Sequence, residues 1–295
     1  MFADPRLFEE HRPALLSMAY SMLGDLARAE DVVQDAWVRW QRAETEAEAP
    51  KAFLMTTVAR LCLDELGSAR ARHEEMRSDR LPEPIDLDQA GLARVEMRDR
   101  ISMAFLVVLQ RLTPNERAVF LLHDVFDMNH GEIASLLGKS DAACRQLLKR
   151  ARENVASERR VLQTSREEQR RLLLAFMQAV ATGDQSALSD VLAEDAVLIV
   201  DPGKHPEPFG RLRQVGKPVV GRRRVVALIA AFRAQERAAL LEHVECTLNG
   251  QPAMISFLDG RPLAAVFLSV AEGRVRHVFF QADPDRLHRL GSSKG

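Results

Sequence analysis

One stretch decides the fold of this chain: residues 112–155, with the sequence LTPNERAVFLLHDVFDMNHGEIASLLGKSDAACRQLLKRARENV. Thr113 followed by Glu116 forms a capping box, in which the two side chains satisfy free N–H groups at a helix start. Asn129 and Glu132 repeat the same device before the apolar run IASLLG. These local signals predict three short helices with defined ends.

The last two of these helices have the pattern of a helix-turn-helix motif. Gly138 can adopt the positive φ that ends a helix, and Ser140 can cap the helix that follows. Two helices joined by a turn of about three or four residues containing Gly are typical of this motif. Residues 139–160 include seven Lys/Arg and three Asp/Glu, and a basic second helix suits a major groove. The alternative is a helical hairpin with a solvated basic face.

The composition is that of an ordinary globular protein with two or three domains. The chain has 295 residues, of which 46% are hydrophobic and 28% charged. The net charge of −1 conceals an asymmetry, because residues 1–50 carry ten acids and five Arg whereas residues 139–160 are cationic. Opposite charges in separate segments predict two kinds of macromolecular partner.

The sequence gives no sign of a metal site, a cofactor, a disulfide framework or a membrane anchor. Cys62, Cys144 and Cys246 are scattered and lack the C-x-x-C spacing. The N-terminus lacks the basic and apolar segments of a signal peptide, and no apolar run is long enough to cross a bilayer. We therefore expect a cytoplasmic protein without cofactors.

A helix is predicted to start at Asp4 and Pro5, and two further helices that follow it carry candidate site residues. In the first of these two, LARAEDVVQDAWVRWQRA, an apolar stripe ends at Trp37 and Trp40. Its opposite face is acidic and polar, with Glu30, Asp31, Gln34 and Asp35. The next helix, from about Lys51, has Phe53 on its apolar side. The residues predicted to face outward are Thr56, Thr57, Arg60, Arg70 and Arg72.

The remaining segments complete a multidomain organisation. Pro82 and Pro84 exclude a helix within residues 74–91, and a helix is expected from about Leu92 to Arg111. After Arg166, two helices, a strand and a further helix precede β-rich runs with Asn-Gly, Asp-Gly and Glu-Gly turns. This order predicts an α+β domain behind the helical part.

The front part resembles an extracytoplasmic-function (ECF) sigma factor of bacterial RNA polymerase. ARAEDVVQDAWVRWQRA resembles the region that docks on the polymerase clamp helices, and AFLMTTVARLCLDELGSARAR resembles the segment that melts and recognises the minus-ten element. Residues 112–155 resemble the region that recognises minus-thirty-five. The resemblance implies that core RNA polymerase and promoter DNA are the partners.

The rest of the chain resembles one subgroup, in which a SnoaL-like domain replaces a separate anti-sigma protein. Leu81, Pro82, Glu83 and Pro84 match its linker motif, with Arg80 where an aromatic residue is usual. Asp201-Pro202-Gly203-Lys204 resembles its glycine-rich stretch, and Asp283-Pro284-Asp285-Arg286-Leu287 its terminal motif. The implied fold is two all-α sigma domains followed by an α+β SnoaL-like cone. The implied domains are 1–73, a linker 74–99, 100–160 with the helix-turn-helix, and 166–291.

Promoter opening requires cations that hold phosphates and a pocket for an unstacked base, but no covalent catalysis. Arg145 and Gln146 can make bidentate contacts to guanine and adenine. Lys149, Arg150 and Arg152 on the same helix are predicted to contact the DNA backbone, which positions the chain without specifying sequence. The loop from Gln41 to Pro50, together with Lys51, Thr56 and Arg60, is placed to hold phosphates and to take the unstacked base. Arg70 and Arg72 suit phosphate contacts.

The C-terminal domain leaves alternatives open. Asp201, His205 and His277 could serve as acid and base, as in SnoaL-like enzymes, but the same fold also serves as a docking module. We expect no catalytic residues and leave open a small ligand in this domain. The rival hypotheses are a ligand-responsive helix-turn-helix regulator that binds DNA alone and an enzyme with a DNA-binding appendage.

Overall fold

The computed structural model describes residues 4–42, 49–71, 80–92, 101–156, 164–203, 217–234 and 239–291. These residues form two compact units. The first contains the described parts of 1–76, 88–101 and 106–158, and the second those of 77–87, 102–105 and 159–295. Of the predicted segments, residues 43–48 of the loop before α3, Arg72, Lys204 and His205 lie outside the described residues, as does the side chain of Arg70.

The first unit begins with three helices: α1 (Pro5–Leu23), α2 (Leu26–Gln41) and α3 (Pro50–Ala71). Asp4 and Asp25 cap α1 and α2 by accepting backbone N–H groups, and Gly24 ends α1 with a φ of 68°. Pro13 lies inside α1. The core of these helices is apolar and fully buried around Tyr20 and Leu54.

The second group of helices in this unit confirms the predicted helix-turn-helix. It consists of α4 (Met103–Arg111), which belongs to this unit from Leu106 on, α5 (Pro114–Phe120), a π-helical turn (Leu121–Val125), α6 (His130–Leu137) and α7 (Asp141–Ala156). Both predicted capping boxes are present, and Gly138 ends α6 with a φ of 60°. The helix predicted from about Leu92 to Arg111 is described only as Met103–Arg111, and Leu92 itself is not helical.

A buried arginine joins the helices of this unit. The Arg117 guanidinium is 6% exposed and donates to the carbonyls of Leu109 at 2.8 Å and Gln110 at 3.1 Å. It also donates to the carbonyl of Met22 near the end of α1. Since carbonyl groups at a helix C-terminus carry partial negative charge, this cation stabilises the ends of both α1 and α4.

The second unit confirms the predicted α+β domain. Its helices are α8 (Arg166–Thr182), α9 (Gln185–Val191), α10 (Arg222–Arg233) and α11 (Pro284–Leu287). Its strands are β1 (Leu192–Asp201), β2 (Val219–Val220), β3 (Glu242–Leu248), β4 (Gln251–Leu258), β5 (Arg261–Ala271) and β6 (Arg274–Gln281). They form one sheet in the order β2-β1-β6-β5-β4-β3.

Strands β3 to β6, which contain the β-rich runs of the sequence, form an antiparallel meander, and β1 joins it parallel to β6. The hairpins turn at Asn249-Gly250, Asp259-Gly260 and Glu272-Gly273, and all six residues have positive φ. That conformation at both central residues is the one that matches the twist of the flanking strands.

The sheet buries apolar side chains on both faces. One face packs Val200, Val266 and Phe280 with residues of α8 and α10 in a continuous core. Because side chains alternate along a strand, the neighbouring residues Ile199, Phe267 and Phe279 lie on the opposite face, where they are also buried.

Candidate nucleic-acid interface and linker-docking site

The acidic face predicted on α2 is solvent-accessible. Asp31, Gln34 and Asp35 are exposed and Glu30 is half-buried. The opposite stripe, which includes Val33, is buried, so helical spacing alone separates the two faces.

The recognition helix α7 likewise separates its two faces. Cys144, Leu148, Ala151 and Val155 are its buried residues. Arg145, Gln146, Lys149 and Arg150 are exposed together on the other side. This face offers one amide and three cations to a groove, which suits base and phosphate contacts.

Arg152 is on the same helix but is paired within the unit. Its guanidinium donates to both carboxylate oxygens of Asp124, at 2.9 and 2.6 Å, and Asp124 also contacts His123 Nδ1 at 2.9 Å. Burial raises the pKa of Asp124, but hydrogen bonds from Arg152 and His123 outweigh it and hold that pKa below its usual value. In this conformation Arg152 fastens α7 to the π-helical turn.

The predicted minus-ten face on α3 is only partly free. Lys51 is exposed and Thr56 half-buried, whereas Arg60 Nε donates to the carbonyl of Leu136 on α6 at 3.4 Å. Thr56 and Arg60 line a groove of about 570 Å³ together with Ala49, Ala52, Phe53, Gly131, Glu132, Ser135 and Leu136. One side of the predicted minus-ten surface therefore faces the first helix of the helix-turn-helix.

Two orientations on α3 differ from the prediction. Thr57, expected to face outward, is 8% exposed, and its hydroxyl donates to the Phe53 carbonyl at 2.9 Å. Phe53, expected in the core, is 36% exposed and lines the groove. A threonine can be buried in a helix because its hydroxyl bonds to the carbonyl four residues earlier.

The proline-containing linker is the most completely buried of the predicted sites. All residues from Leu81 to Ile85 are buried in the second unit, although they form no helix or strand. An irregular backbone that is removed from water needs hydrogen-bond partners for its N–H and C=O groups. Side chains at the end of the sheet provide them.

Asp201 and Gln281, adjacent residues at the ends of β1 and β6, hold the linker at Leu81. The Leu81 N–H donates to Asp201 Oδ2 at 2.9 Å. The Leu81 carbonyl accepts from Gln281 Nε2 at 3.2 Å and from the Arg286 guanidinium at 2.8 Å. Gln281 Nε2 also lies 3.4 Å from the carbonyl of Pro82. Both backbone polar groups of Leu81 are thus satisfied by the C-terminal domain.

Asn249, in the turn between β3 and β4, binds the other end of the linker. Its side-chain oxygen accepts the Ile85 N–H at 3.2 Å, and its own N–H donates to the Ile85 carbonyl at 2.8 Å. Between these two anchor points, the Glu83 carboxylate lies 3.7 Å from Arg289. The linker is therefore fastened at both ends to residues far away in sequence.

Asp283 connects the C-terminal tail to the same site. It accepts from Arg80 at 3.1 Å, and its N–H donates to the Gln281 side chain at 2.9 Å. Burial raises the pKa of the Asp283 carboxyl, and the nearby Asp201 carboxylate adds to this rise. Pro284 and Asp285 begin α11 and are exposed.

Of the three residues considered for acid–base chemistry, His205 lies outside the described residues, and the other two bond to different partners. Asp201 is engaged by the linker, whereas His277 Nδ1 pairs with Ser269 Oγ at 2.9 Å. Within the described ranges there is no cluster of His, Cys, Asp and Glu suited to a metal ion. In the same ranges, no helix is both long and apolar enough to cross a membrane.

The sequence prediction missed Gln281, Asn249 and Arg286 as linker-binding residues. Asn249 was recognised only as a turn residue, and Arg286 only as part of the terminal motif. A signal for Gln281 existed, because it is a polar residue at the end of a strong β run, but its partner 200 positions earlier could not be inferred.

Comparisons with known proteins agree with this organisation. Residues 7–72 match the model of Sigma-70 region 2, and residues 102–155 match Sigma-70, region 4. The chain is 34% identical to the ECF RNA polymerase sigma factor SigJ of Mycobacterium tuberculosis H37Rv, over 95% of this chain and 92% of SigJ. It is 32% identical to the probable ECF sigma factor SigI of Mycobacterium tuberculosis CDC 1551, over 97% and 95%.

A solved structure extends the similarity to three dimensions. The crystal structure of Mycobacterium tuberculosis SigJ superposes with a TM-score of 0.74 at 30% identity, and the match covers 97% of this chain and 98% of SigJ. The similarity therefore includes the C-terminal α+β unit as well as the helical regions.

Proposed function

This chain belongs to the ECF RNA polymerase sigma factors, and we propose that its own SnoaL-like C-terminal domain restrains it by holding the linker between the two sigma regions. As a sigma factor it binds core RNA polymerase and promoter DNA and initiates transcription. Family membership favours this function over the enzyme and the stand-alone regulator. The observation that carries the proposed restraint is the linker from Leu81 to Ile85, buried and bonded at both ends.

Two states of the chain compete, one with the linker docked and one with the linker extended. Promoter opening needs regions 2 and 4 to spread over separate promoter elements on one polymerase. A linker fastened by Asp201, Gln281 and Asn249 cannot extend freely. Pro82 and Pro84 pre-extend this segment, so docking it costs less conformational entropy than docking a Gly-Ser linker would. We propose that docking stabilises a compact state that initiates poorly.

The partly covered minus-ten face supports the same proposal. Arg60 is bonded to the Leu136 carbonyl, and Thr56 faces residues of α6 across the groove. To contact a DNA strand, Arg60 would have to give up its bond to the Leu136 carbonyl. This contact supports the proposal that minus-ten recognition is restrained in this conformation.

The partner surfaces are proposed as follows. The acidic face of α2 docks on the clamp helices of the polymerase, and α7 recognises the minus-thirty-five element through Arg145 and Gln146. Phosphate contacts come from the remaining predicted cations, including Arg70 and Arg72. This proposal includes four segments, with the limits 1–73, 74–99, 100–160 and 166–291. It also includes a cytoplasmic location.

Run-off transcription with purified core polymerase tests the restraint. We expect a chain that ends at Ala282 to be more active than the full chain, because it lacks Asp283 and Arg286. Deleting everything after Arg166 should not raise activity further, since contacts of the domain also support the productive complex. Equal activity of the full and tail-trimmed chains would contradict the proposal.

A point substitution avoids the risk that trimming unfolds the domain. Asp201→Ala leaves the buried N–H of Leu81 without its acceptor, which costs about 1–3 kcal/mol of docking free energy. Asp195→Ala is the matched control, because Asp195 is a carboxylate on the same strand whose partner is Arg276. Only Asp201→Ala should raise transcription.

A further inference from the structure

The second unit contains an apolar cavity of about 60 Å³ between its sheet and its helices. Phe176 and Met177 of α8 and Ile229 and Phe232 of α10 form one wall. The sheet wall includes Val200 of β1 and Phe280 of β6. Because water finds few hydrogen-bond partners in an apolar cavity, the cavity favours an apolar occupant.

One polar pair interrupts the apolar lining. His243 of β3 and Ser256 of β4 are cross-strand partners, and His243 Nδ1 lies 2.9 Å from Ser256 Oγ. Among the described residues that line the cavity, these are the two polar ones. A hydroxyl that shares one hydrogen bond with an imidazole can still accept or donate another. The cavity therefore combines apolar walls with one hydrogen-bonding end.

The size of the cavity limits the ligand. A volume of 60 Å³ corresponds to about four to six water positions when each needs roughly 10–15 Å³. The cavity suits a compound with a single ring or a short apolar chain and one hydrogen-bonding group.

The cavity and the linker share strands. Val200 and Phe280 are register partners that face the cavity. Their chain neighbours Asp201 and Gln281 are the next register pair, point to the opposite face of the sheet and bond to Leu81. Because the two pairs are consecutive in the same strands, a ligand that displaces the first pair would also shift the second, which bonds to the linker.

We propose that this cavity binds a small apolar compound with one hydrogen-bonding group at Ser256 and His243, and that its binding loosens the linker. The effect on transcription rests on the restraint proposed above, whereas binding and loosening do not. The cavity then serves as the signal input of the sigma factor, at a different place from the acid–base set that the sequence suggested.

Binding is tested on the full chain with phenol and toluene as probes in titration calorimetry. We expect phenol to bind more tightly than toluene, since it can reach Ser256. Ser256→Ala should weaken phenol binding about three- to tenfold, the value of one neutral hydrogen bond, and leave toluene binding unchanged. Ser269→Ala is the matched control, because Ser269 also lies 2.9 Å from a histidine but outside the cavity. Ala264→Leu, which fills the cavity, should abolish binding of both probes.

Loosening is tested by hydrogen exchange at the backbone amides of Leu81 and Ile85, which donate to Asp201 and Asn249. Saturating phenol should accelerate their exchange at least about threefold, and in the Ala264→Leu variant it should have no effect. Absence of phenol binding, or phenol binding insensitive to Ser256→Ala, overturns the site. Binding with unchanged exchange overturns the coupling. Faster exchange while Asp201→Ala leaves transcription unaltered would support this inference and contradict the proposed restraint.

Discussion

Gly203 lies so close to Asp283 that a Cβ atom at residue 203 would be 2.5 Å from Asp283 Oδ1 and 2.9 Å from Asp283 Cα. Gly203 also has a φ of 73°, which residues other than glycine rarely adopt. The glycine therefore permits the end of β1 to approach the C-terminal tail. Asp283, held there, bonds to Arg80 at the start of the linker.

Gly203→Ala should separate the tail from the end of β1 and raise run-off transcription. The clash involves a backbone atom of Asp283, so a side-chain rotation cannot relieve it. Gly183→Ala is the matched control, because Gly183 has a φ of 74° with nothing within 4 Å of its Cβ position. Both variants carry the cost of positive φ, roughly 1 kcal/mol. Equal activities of the two variants would show that the contact with Asp283 does not matter.

Reversing the charges of Asp31 and Asp35 to Lys should abolish binding to core polymerase without unfolding the chain. Both carboxylates are exposed and lie outside the buried stripe of α2. Glu9→Lys with Glu10→Lys is the control, since it reverses two exposed charges on α1. Binding is measured by surface plasmon resonance on immobilised core enzyme. Full binding by the α2 variant would exclude this face as the docking surface.

Arg145→Ala should cost about 1–3 kcal/mol of binding free energy on one minus-thirty-five sequence and much less on others. Lys149→Ala should weaken binding to all sequences alike and reduce the slope of log K against log salt by about 1. The binding constants of the two variants are measured by fluorescence anisotropy on a set of promoter sequences at several salt concentrations. Uniform losses from both substitutions would remove Arg145 from base recognition.

Asp124→Asn should lower the thermal midpoint of the chain at pH 7 but not in strong acid. The folded-state pKa of Asp124 is below its ordinary value of 3.8, so its stabilisation is present above pH 3.8 and is lost as the pH falls through the lower folded pKa. Arg152 is 48% exposed, which limits the effect to at most about 1 kcal/mol. In circular dichroism melts from pH 7 to about pH 2, the difference between the two midpoints should therefore shrink once the pH falls below 3.8. A constant difference across this range would contradict the assignment.

Several features of this protein could be predicted from the sequence because neighbouring residues specify them. The capping boxes at Thr113 and Asn129 join residues three positions apart. The Asn-Gly turn at residue 249 depends on two adjacent residues that accept positive φ. Helical periodicity alone was enough to place Asp31 and Arg145 on exposed faces.

Other features depend on contacts that no local pattern contains. Phe53 and Thr57 exchange their expected environments, because a second group of helices lies beside α3 and Thr57 finds a carbonyl partner in its own helix. Asp124 captures Arg152, which the sequence presented as one more cation on the recognition helix.

The linker shows most clearly which features the sequence determines and which only the tertiary structure decides. Its prolines alone excluded a helix and predicted an extended segment. The tertiary structure decided that Leu81 is buried, because the acceptor for its N–H and the donors for its carbonyl come from Asp201, Gln281 and Arg286, at least 120 positions away. Hydrogen bonds between such distant residues form only after the sheet has brought the ends of β1 and β6 together, and for that reason only the folded chain shows them.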